Sequence, residues 1–507
     1  MLALFTVAVL AVLAAGALIY TSKGYRLAHQ TSSWQNSLMA SEAGIEVAVT
    51  EARRSVFAPG TEFQAANGWQ KGAPFTDLNG NGVWDAGEPF IDLDGTGVYN
   101  ANVWCKNGDL SGMSSEGAKN SSYVSIVDIP GYTTGNEPYY RVRSIGMTEL
   151  TGSASVAGSA IDNELRRLSI RKDRITKSNL TPGSGSVAGG PHASRVIEVI
   201  LKPVSAFRTA LFSTLTINMT DQNIVVDSYD SRDPLKSTNG QYDPTKRQNN
   251  GDIATDGNLI NAGSAHIYGD AATHDGNVLN SSNVTGSITS NFWEDIFAVL
   301  KPNVTFLSTP TTVASATTIT ATPGTPANYQ LTTVNLSGNN ILRIQGAADG
   351  SPTYAQIVVN GDISLTGNAQ VQMDPGVFVR IFVAGNADIE GNGFQNPGSA
   401  LNLQLYGVDR SLKNADGTVQ TNPDGTPVVS SYGTIKIAGN GGFMGAVYAP
   451  DYDISMKGGG NTDTIFGSFS GHTITMTGVQ SVHYDEAMAD GGLISDYKIA
   501  SWFEDVR

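Results

Sequence analysis

The first twenty residues, Met1 to Tyr20, carry no charge and almost no polar side chain. As a helix this run is about 30 Å long, the thickness of a hydrocarbon core, so it predicts a helix for a bilayer or an equally apolar bundle. Trp34, Leu38, Ile45, Val49 and Ala52 then repeat at helical spacing, and the first strong breaker is Pro59-Gly60. The pattern predicts one N-terminal helix over 1–56, apolar in its first half and amphipathic in its second. At 1.5 Å per residue it is a rod of about 80 Å, more than a signal peptide or a simple anchor requires.

Beyond the helix the period changes to two. Segments 122–129, 139–147 and 163–172 alternate apolar and polar side chains between turn-rich connections and predict an antiparallel sheet. TPGSGSVAGG, at 181–190, has linker composition. From about residue 207 short β-branched runs are punctuated by Gly-Asn turns in LSGNN, LTGNA, VAGNA, IEGNG, IAGNG and KGGGN. Asn368 and Asn386 stand eighteen residues apart, and Asn440 and Asn461 twenty-one, spacings that suit one coil of a β-helix. Ile357, Val359, Ile363, Leu365, Val377, Val379, Ile381 and Val383 alternate as inward-facing coil residues would. A sandwich is the alternative.

These patterns divide the chain into a helix at 1–56, a head at 57–172, a linker at 173–206, a β-solenoid at 207–489 and a C-terminal tail at 490–507. The expected fold class is α+β with a long N-terminal helix, followed by a mostly β domain wound as a parallel β-helix. With 57 glycines and only 15% charged residues, composition agrees with many short strands and tight turns. A net charge of -15 without a basic cluster argues against a nucleic-acid partner. The single cysteine, Cys105, cannot form an internal disulfide, which leaves packing, strand pairing or metal to stabilise the fold.

Metal has a candidate. DLNGNGVWDAGE places Asp77, Asn79, Asn81, Gly82, Asp85 and Glu88 at positions one, three, five, six, nine and twelve of an EF-hand calcium loop. Short oxygen side chains at alternate positions can converge on one cation, the carbonyl of Val83 adds a ligand, Gly82 permits the turn, and Glu88 can close the shell bidentately. A second copy, DLDGTGVYNANV, offers Asp92 and Asp94 but has Val103 in place of the closing acid. It either binds weakly or lends its two acids to the first site. Pro74 and Pro89 border the first loop and leave no room for EF-hand helices. A metal-free Gly-Asn-Asp turn is the alternative.

The first 57 residues, with MASEAGIEVAVTEARR in their second half, resemble the N-terminal helix of type IV pilins, especially PilX-type pilus-assembly proteins. VVDSYDSRDPLKSTNGQYD, GFMGAVYAP, FGSFSGHTITMTG and VHYDEAM resemble a C-terminal domain that recurs in PilX-type proteins, over 207–489. The resemblance implies a pilin-like head and a secreted, surface-displayed protein. Its helix would sit in the inner membrane and later pack in the core of a filament, a pilus or fimbrium, with copies of itself or other pilins. Leu4, Phe5, Val9, Leu13 and Gly16 are the residues placed in that core. Phe5 stands where major pilins carry a glutamate, as in tip-located minor pilins, and a basic leader is expected to have preceded Met1.

Common catalytic signatures are absent: the chain has no P-loop, HExxH, GxSxG or CxxC. His472, and His483 with Asp485 and Glu486, form the densest polar group, read as turn and cap residues. Asp388 and Glu390 are spaced as on a solvated strand face. The expected function is a structural, non-enzymatic filament subunit with calcium as cofactor. A low-copy tip pilin or adhesin and a carbohydrate-active β-helix enzyme are the alternatives.

Overall fold

The computed structural model describes residues 2–57, 62–91, 97–110, 121–132, 138–149, 192–221, 224–294, 296–307, 309–415, 418–423, 427–439, 442–458 and 465–505. The chain divides into two units. One comprises Met1–Thr133, Glu137–Pro203 and Tyr497–Arg507, the other Thr134–Asn136 and Val204–Asp496.

The first unit begins with helix α1 (Leu2–Phe57). Strands β1 (Gln70–Lys71), β2 (Trp104–Asp109), β3 (Ser121–Tyr132), β4 (Pro138–Glu149) and β5 (His192–Ser205) follow. With the last strand of the chain, Ile494–Asp505, they form a six-stranded sheet in that order. The second half of α1 lies on β3 and β4 through a stripe of small residues. Ser37, Ala40, Ser41, Ala48 and Ala52 are buried there with Ile45 and Val49. The approach is close enough for Ser125 Oγ to donate to the carbonyl of Gly44 at 2.7 Å. A Cβ on Gly44 would fall 2.1 Å from Ser144 Oγ, so glycine is required for this contact.

Three expectations are corrected here. The α+β pilin-like class does not hold: the structure is mostly β, and strand residues far outnumber helical residues among the described residues. Among the described residues no helix is long and apolar enough to cross a membrane, so they support neither the transmembrane helix nor the type IV pilin assignment drawn from it. Finally, the supposed linker and tail are partly sheet. Residues 192–205 pair antiparallel with β4, from Glu149 opposite His192 to Tyr140 opposite Leu201, and residues 494–505 form the edge strand. From Ile197 to Ser205 every second residue is buried, as one face of a sheet requires. The expected strand at 163–172 and the linker at 181–190 lie outside the described residues.

In the second unit, β6 (Leu211–Met219), β7 (Val225–Tyr229), β8 (Ile253–Thr255), β9 (Leu259–Asn261), β10 (His266–Ile267), β11 (Ala271–Ala272), β12 (Asn277–Leu279) and β13 (Ile288–Thr289) come first. Next are β14 (Thr311–Val313), β15 (Thr317–Thr320), β16 (Ala327–Leu336), β17 (Ile341–Gln345), β18 (Thr353–Val359), β19 (Ile363–Leu365), β20 (Gln370–Met373) and β21 (Val377–Val383). The series ends with β22 (Ala387–Ile389), β23 (Gly393–Gln395), β24 (Leu403–Gly407), β25 (Gly433–Gly439), β26 (Phe443–Ala449), β27 (Tyr452–Gly458), β28 (Ile465–Thr477) and β29 (Ser481–Asp485). The final strand of the chain is β30 (Ile494–Asp505).

Neighbouring named strands of this unit pair in parallel, as in Val379 opposite Leu403 and Ile363 opposite Ala387. Long strands β16 and β28 each pair with two strands on the same side, and this closes a ten-strand parallel ring of β16, β18, β21, β24, β26, β28, β27, β25, β22 and β19. All eight residues read as inward-facing, Ile357 to Val383, are buried. The Asn spacing misjudged the repeat. Asn368 bonds to Asn339 and Asn392, and Asn386 to Asp362, while Asn440 and Asn461 lie outside the described residues.

The winding is interrupted once. β6 to β13 form one set of coils and β14 to β29 another, and the two meet where β28 lies beside β6, with Phe469 opposite Leu211. Between β13 and β14 the chain returns along the outside of the stack, contacting one coil after another. Phe292 N–H donates to the carbonyl of Thr273, Phe297 stacks on Tyr448 at 4.5 Å, the carbonyl of Val299 accepts from Asp409, and Leu307 N–H donates to the carbonyl of Asn328.

Candidate functional site

The loop from Asp77 to Glu88 is held at its base by Thr76 N–H donating to the carbonyl of Pro89 at 2.7 Å, and by a bridge between Phe75 and Phe90. Aromatic rings fasten it to the first unit. Trp84 stacks on Tyr99 at 4.4 Å and meets Phe90 edge-on, and both partners pack on the buried cluster of Ala73, Ile91, Val103, Cys105 and Ile126. Val103, at the missing twelfth position of the second copy, is thus a core residue. Asp92 and Asp94 lie outside the described residues.

Within the loop the acids are held by main-chain donors. Asp77 accepts from Gly80 N–H at 2.6 Å and Gly82 N–H at 2.7 Å, and the Gly82 bond is the largest influence holding its carboxyl below the ordinary value. Glu88 is buried and accepts from Leu78 and Asp85 N–H at 2.8 and 3.0 Å. Gly80 and Gly82 both take φ of +75°, a conformation that side chains other than glycine rarely adopt. At the centre, Asp85 Oδ2 accepts one amide N–H from Asn79 and one from Asn81, each at 2.7 Å. The donor set is all oxygen, the chemistry of a hard cation, and each Asn needs only a half-turn of its amide to present oxygen to the centre. Among the described residues, no three His, Cys, Asp or Glu side chains converge closely enough to form a metal site by themselves.

The helix residues are placed less completely. Leu4, Phe5 and Val9 lie on α1, and their side chains fall outside the described residues. Leu13 is 65% exposed, followed by Leu18, Ile19 and Tyr20, the last at 81%. A Cβ on Gly16 would meet nothing within 4 Å. That turn of the helix therefore has room for a close neighbour.

The histidines do not form one group. His472 faces Asp453 at 2.8 Å and stacks on Tyr432 at 3.5 Å. His483 is buried, faces Asp227 at 2.5 Å and stacks on Tyr242, whose hydroxyl donates to the same carboxylate at 2.7 Å. Asp485 caps the short helical turn after β29 and accepts from Ser231 and Ala487 N–H, and burial raises its pKa. Glu486 accepts from Ser228, Asn250 and Lys236. Asp388 and Glu390 share Lys436. Sequence spacing had no means of finding Asp227, Tyr242, Asp453 or Tyr432, because parallel pairing brings them in from distant coils.

Residues 306–491 match a domain of unknown function (DUF7305). The match takes in the coils from β14 to β29 and leaves out those from β6 to β13. No curated protein and no solved structure matches the chain.

Proposed function

We propose that this chain is a structural, non-enzymatic subunit of an extracellular, pilus-like filament, in which α1 packs against copies of itself or related subunits while the β units are displayed outside. One observation carries the reading. Half of α1 is sealed onto β3 and β4, while the other half presents Leu13, Leu18, Ile19 and Tyr20 uncovered. Fully burying one aliphatic side chain is worth roughly 1.5 to 3 kcal/mol, so this uncovered apolar surface is driven against other helices in a filament. The resemblance of residues 1–57 to PilX-type helices supports the same reading.

Calcium is proposed as the cofactor of the loop at Asp77–Glu88. Asp77, Asp85 and Glu88 would hold the ion with the amide oxygens of Asn79 and Asn81 and the carbonyl of Val83. The ion would supply the positive charge that two Asn amides now offer to Asp85, and would make the loop a stable part of the displayed head at the millimolar calcium of an extracellular medium.

Leu13→Asp tests the assembly reading. Cells expressing this variant should lose the subunit from sheared filaments, as followed by electron microscopy and immunoblot, while the protein keeps its native circular dichroism. Normal incorporation of Leu13→Asp would refute it.

A further inference from the structure

The two ends of the parallel stack are finished differently. Inward positions line up coil on coil, and one line runs from Leu211 through Ile253 and Ala271 to Ile288. The first three are buried to 1% exposure or less, yet Ile288 is 46% exposed although it occupies the same inward register. A second line passes through Ile217 and Ile260 to Val278, and a third through Val226 and Ile267 to Val284. Each begins fully buried and ends on a half-buried valine. At the opposite end the corresponding positions, Val313 and Ile319, are covered to 3% and 4% exposure. One end of the stack is therefore closed, and the other leaves Ile288 and, in part, Val278 and Val284 uncovered.

The strands at the open end are short, three residues in β12 and two in β13, but two other devices that blunt a strand edge, charged side chains and proline, are missing beside them. From Gly276 to Trp293 there is no charged residue and no proline. Among the described residues the strand register pairs β12 with β9 and β13 with β11, each on one side. Leu279, the last residue of β12, is 47% exposed.

We propose that this end is an interface with a second copy of the same chain, meeting end to end about a two-fold axis. Charge selects the occupant. A chain with a net charge of -15 opposes its own copy wherever acidic surfaces meet, whereas the stretch from Gly276 to Trp293, next to the exposed Asp275, carries no charge of its own. Shape selects the two-fold arrangement. Ile288, Val278 and Val284 need an apolar cover, which another open end supplies and the closed end does not. This interface is independent of α1 and so extends beyond the filament reading.

Cysteine cross-linking of the full chain tests it, since the native Cys105 is buried. Leu279→Cys under mild oxidation should give a covalent dimer on a non-reducing gel at least tenfold faster than Thr312→Cys, which marks the closed end. Thr289→Arg, added at an exposed edge position, should suppress the Leu279→Cys dimer by tenfold or more with circular dichroism unchanged. The dimer should persist in the Leu13→Asp background, which separates this interface from helix assembly. Equal rates for the two cysteine variants, no effect of Thr289→Arg, loss of the dimer with Leu13→Asp, or efficient cross-linking between Leu279→Cys and Thr312→Cys chains would each overturn the proposal.

Discussion

Gly146 on β4 lies so close to helix α1 that a Cβ there would stand 1.9 Å from the carbonyl oxygen of Ser37 and 2.3 Å from the amide nitrogen of Ser41. Both are main-chain atoms of a helix and cannot rotate aside. Gly146→Val should therefore force helix and sheet apart and cost about 3 kcal/mol or more, the upper range for overpacking. Gly131→Ala, where nothing lies within 4 Å, should shift the denaturation midpoint little. Urea unfolding of the two variants measures the difference.

Calcium at tenfold its dissociation constant should add about 1.4 kcal/mol to the native state. A calcium-dependent rise in melting temperature is the expected outcome, and Asp77→Ala with Glu88→Ala should remove it. Identical melting of the wild type with calcium and with chelator would reduce the loop to a turn.

The pH dependence of that loop has a defined sign. Asp77 is held below its ordinary value of 3.8, first by the Gly82 N–H, so its contribution is fully present above the unfolded value. It is lost as pH falls through the lower folded value. Trp84 fluorescence, reporting the stack on Tyr99, should hold steady from pH 7 to about 4 and change only below that. A transition centred near pH 6 would contradict this account.

Cys105 should resist thiol reagents in the native protein. Burial pushes its pKa up to about 11, so little reactive thiolate exists at neutral pH and the reagent has no access. Labelling with a maleimide should be slow until denaturant unfolds the first unit. Rapid stoichiometric labelling in buffer would show that the cluster around Cys105 opens readily.

The carboxylate of Asp227, fully buried, is answered by His483 and Tyr242. Tyr242→Phe removes one charge-assisted bond and should cost about 1.5 to 3 kcal/mol, whereas Asp227→Ala strands two partners and should cost about 3 to 5 kcal/mol. Denaturant midpoints at equal slope would measure both.

Much of the local structure could be read from the chain alone. Period two in β18 and β21 marked Ile357 to Val383 as core, and helical spacing from Trp34 to Ala52 marked a helix whose buried stripe includes Ile45, Val49 and Ala52. The spacing of Asp77, Asp85 and Glu88 is a signal of the same local kind, and its calcium remains a proposal. Such signals are local, because alternation follows from the geometry of one strand and loop chemistry from a dozen adjacent residues.

Only the tertiary structure decided which strands are neighbours. Periodicity reports that a face is buried and says nothing of what buries it. Asn386 bonds to Asp362 and Asn368 to Asn392, each twenty-four residues away, so the spacing of eighteen between Asn368 and Asn386 is not the repeat. The joint of β28 with β6, the return of Phe297 to Tyr448 and the recruitment of residues 494–505 into the first sheet depend on pairings between distant positions. The same holds for His483 facing Asp227 and for the uncovered Ile288, an inward residue by pattern that is exposed because the stack ends there.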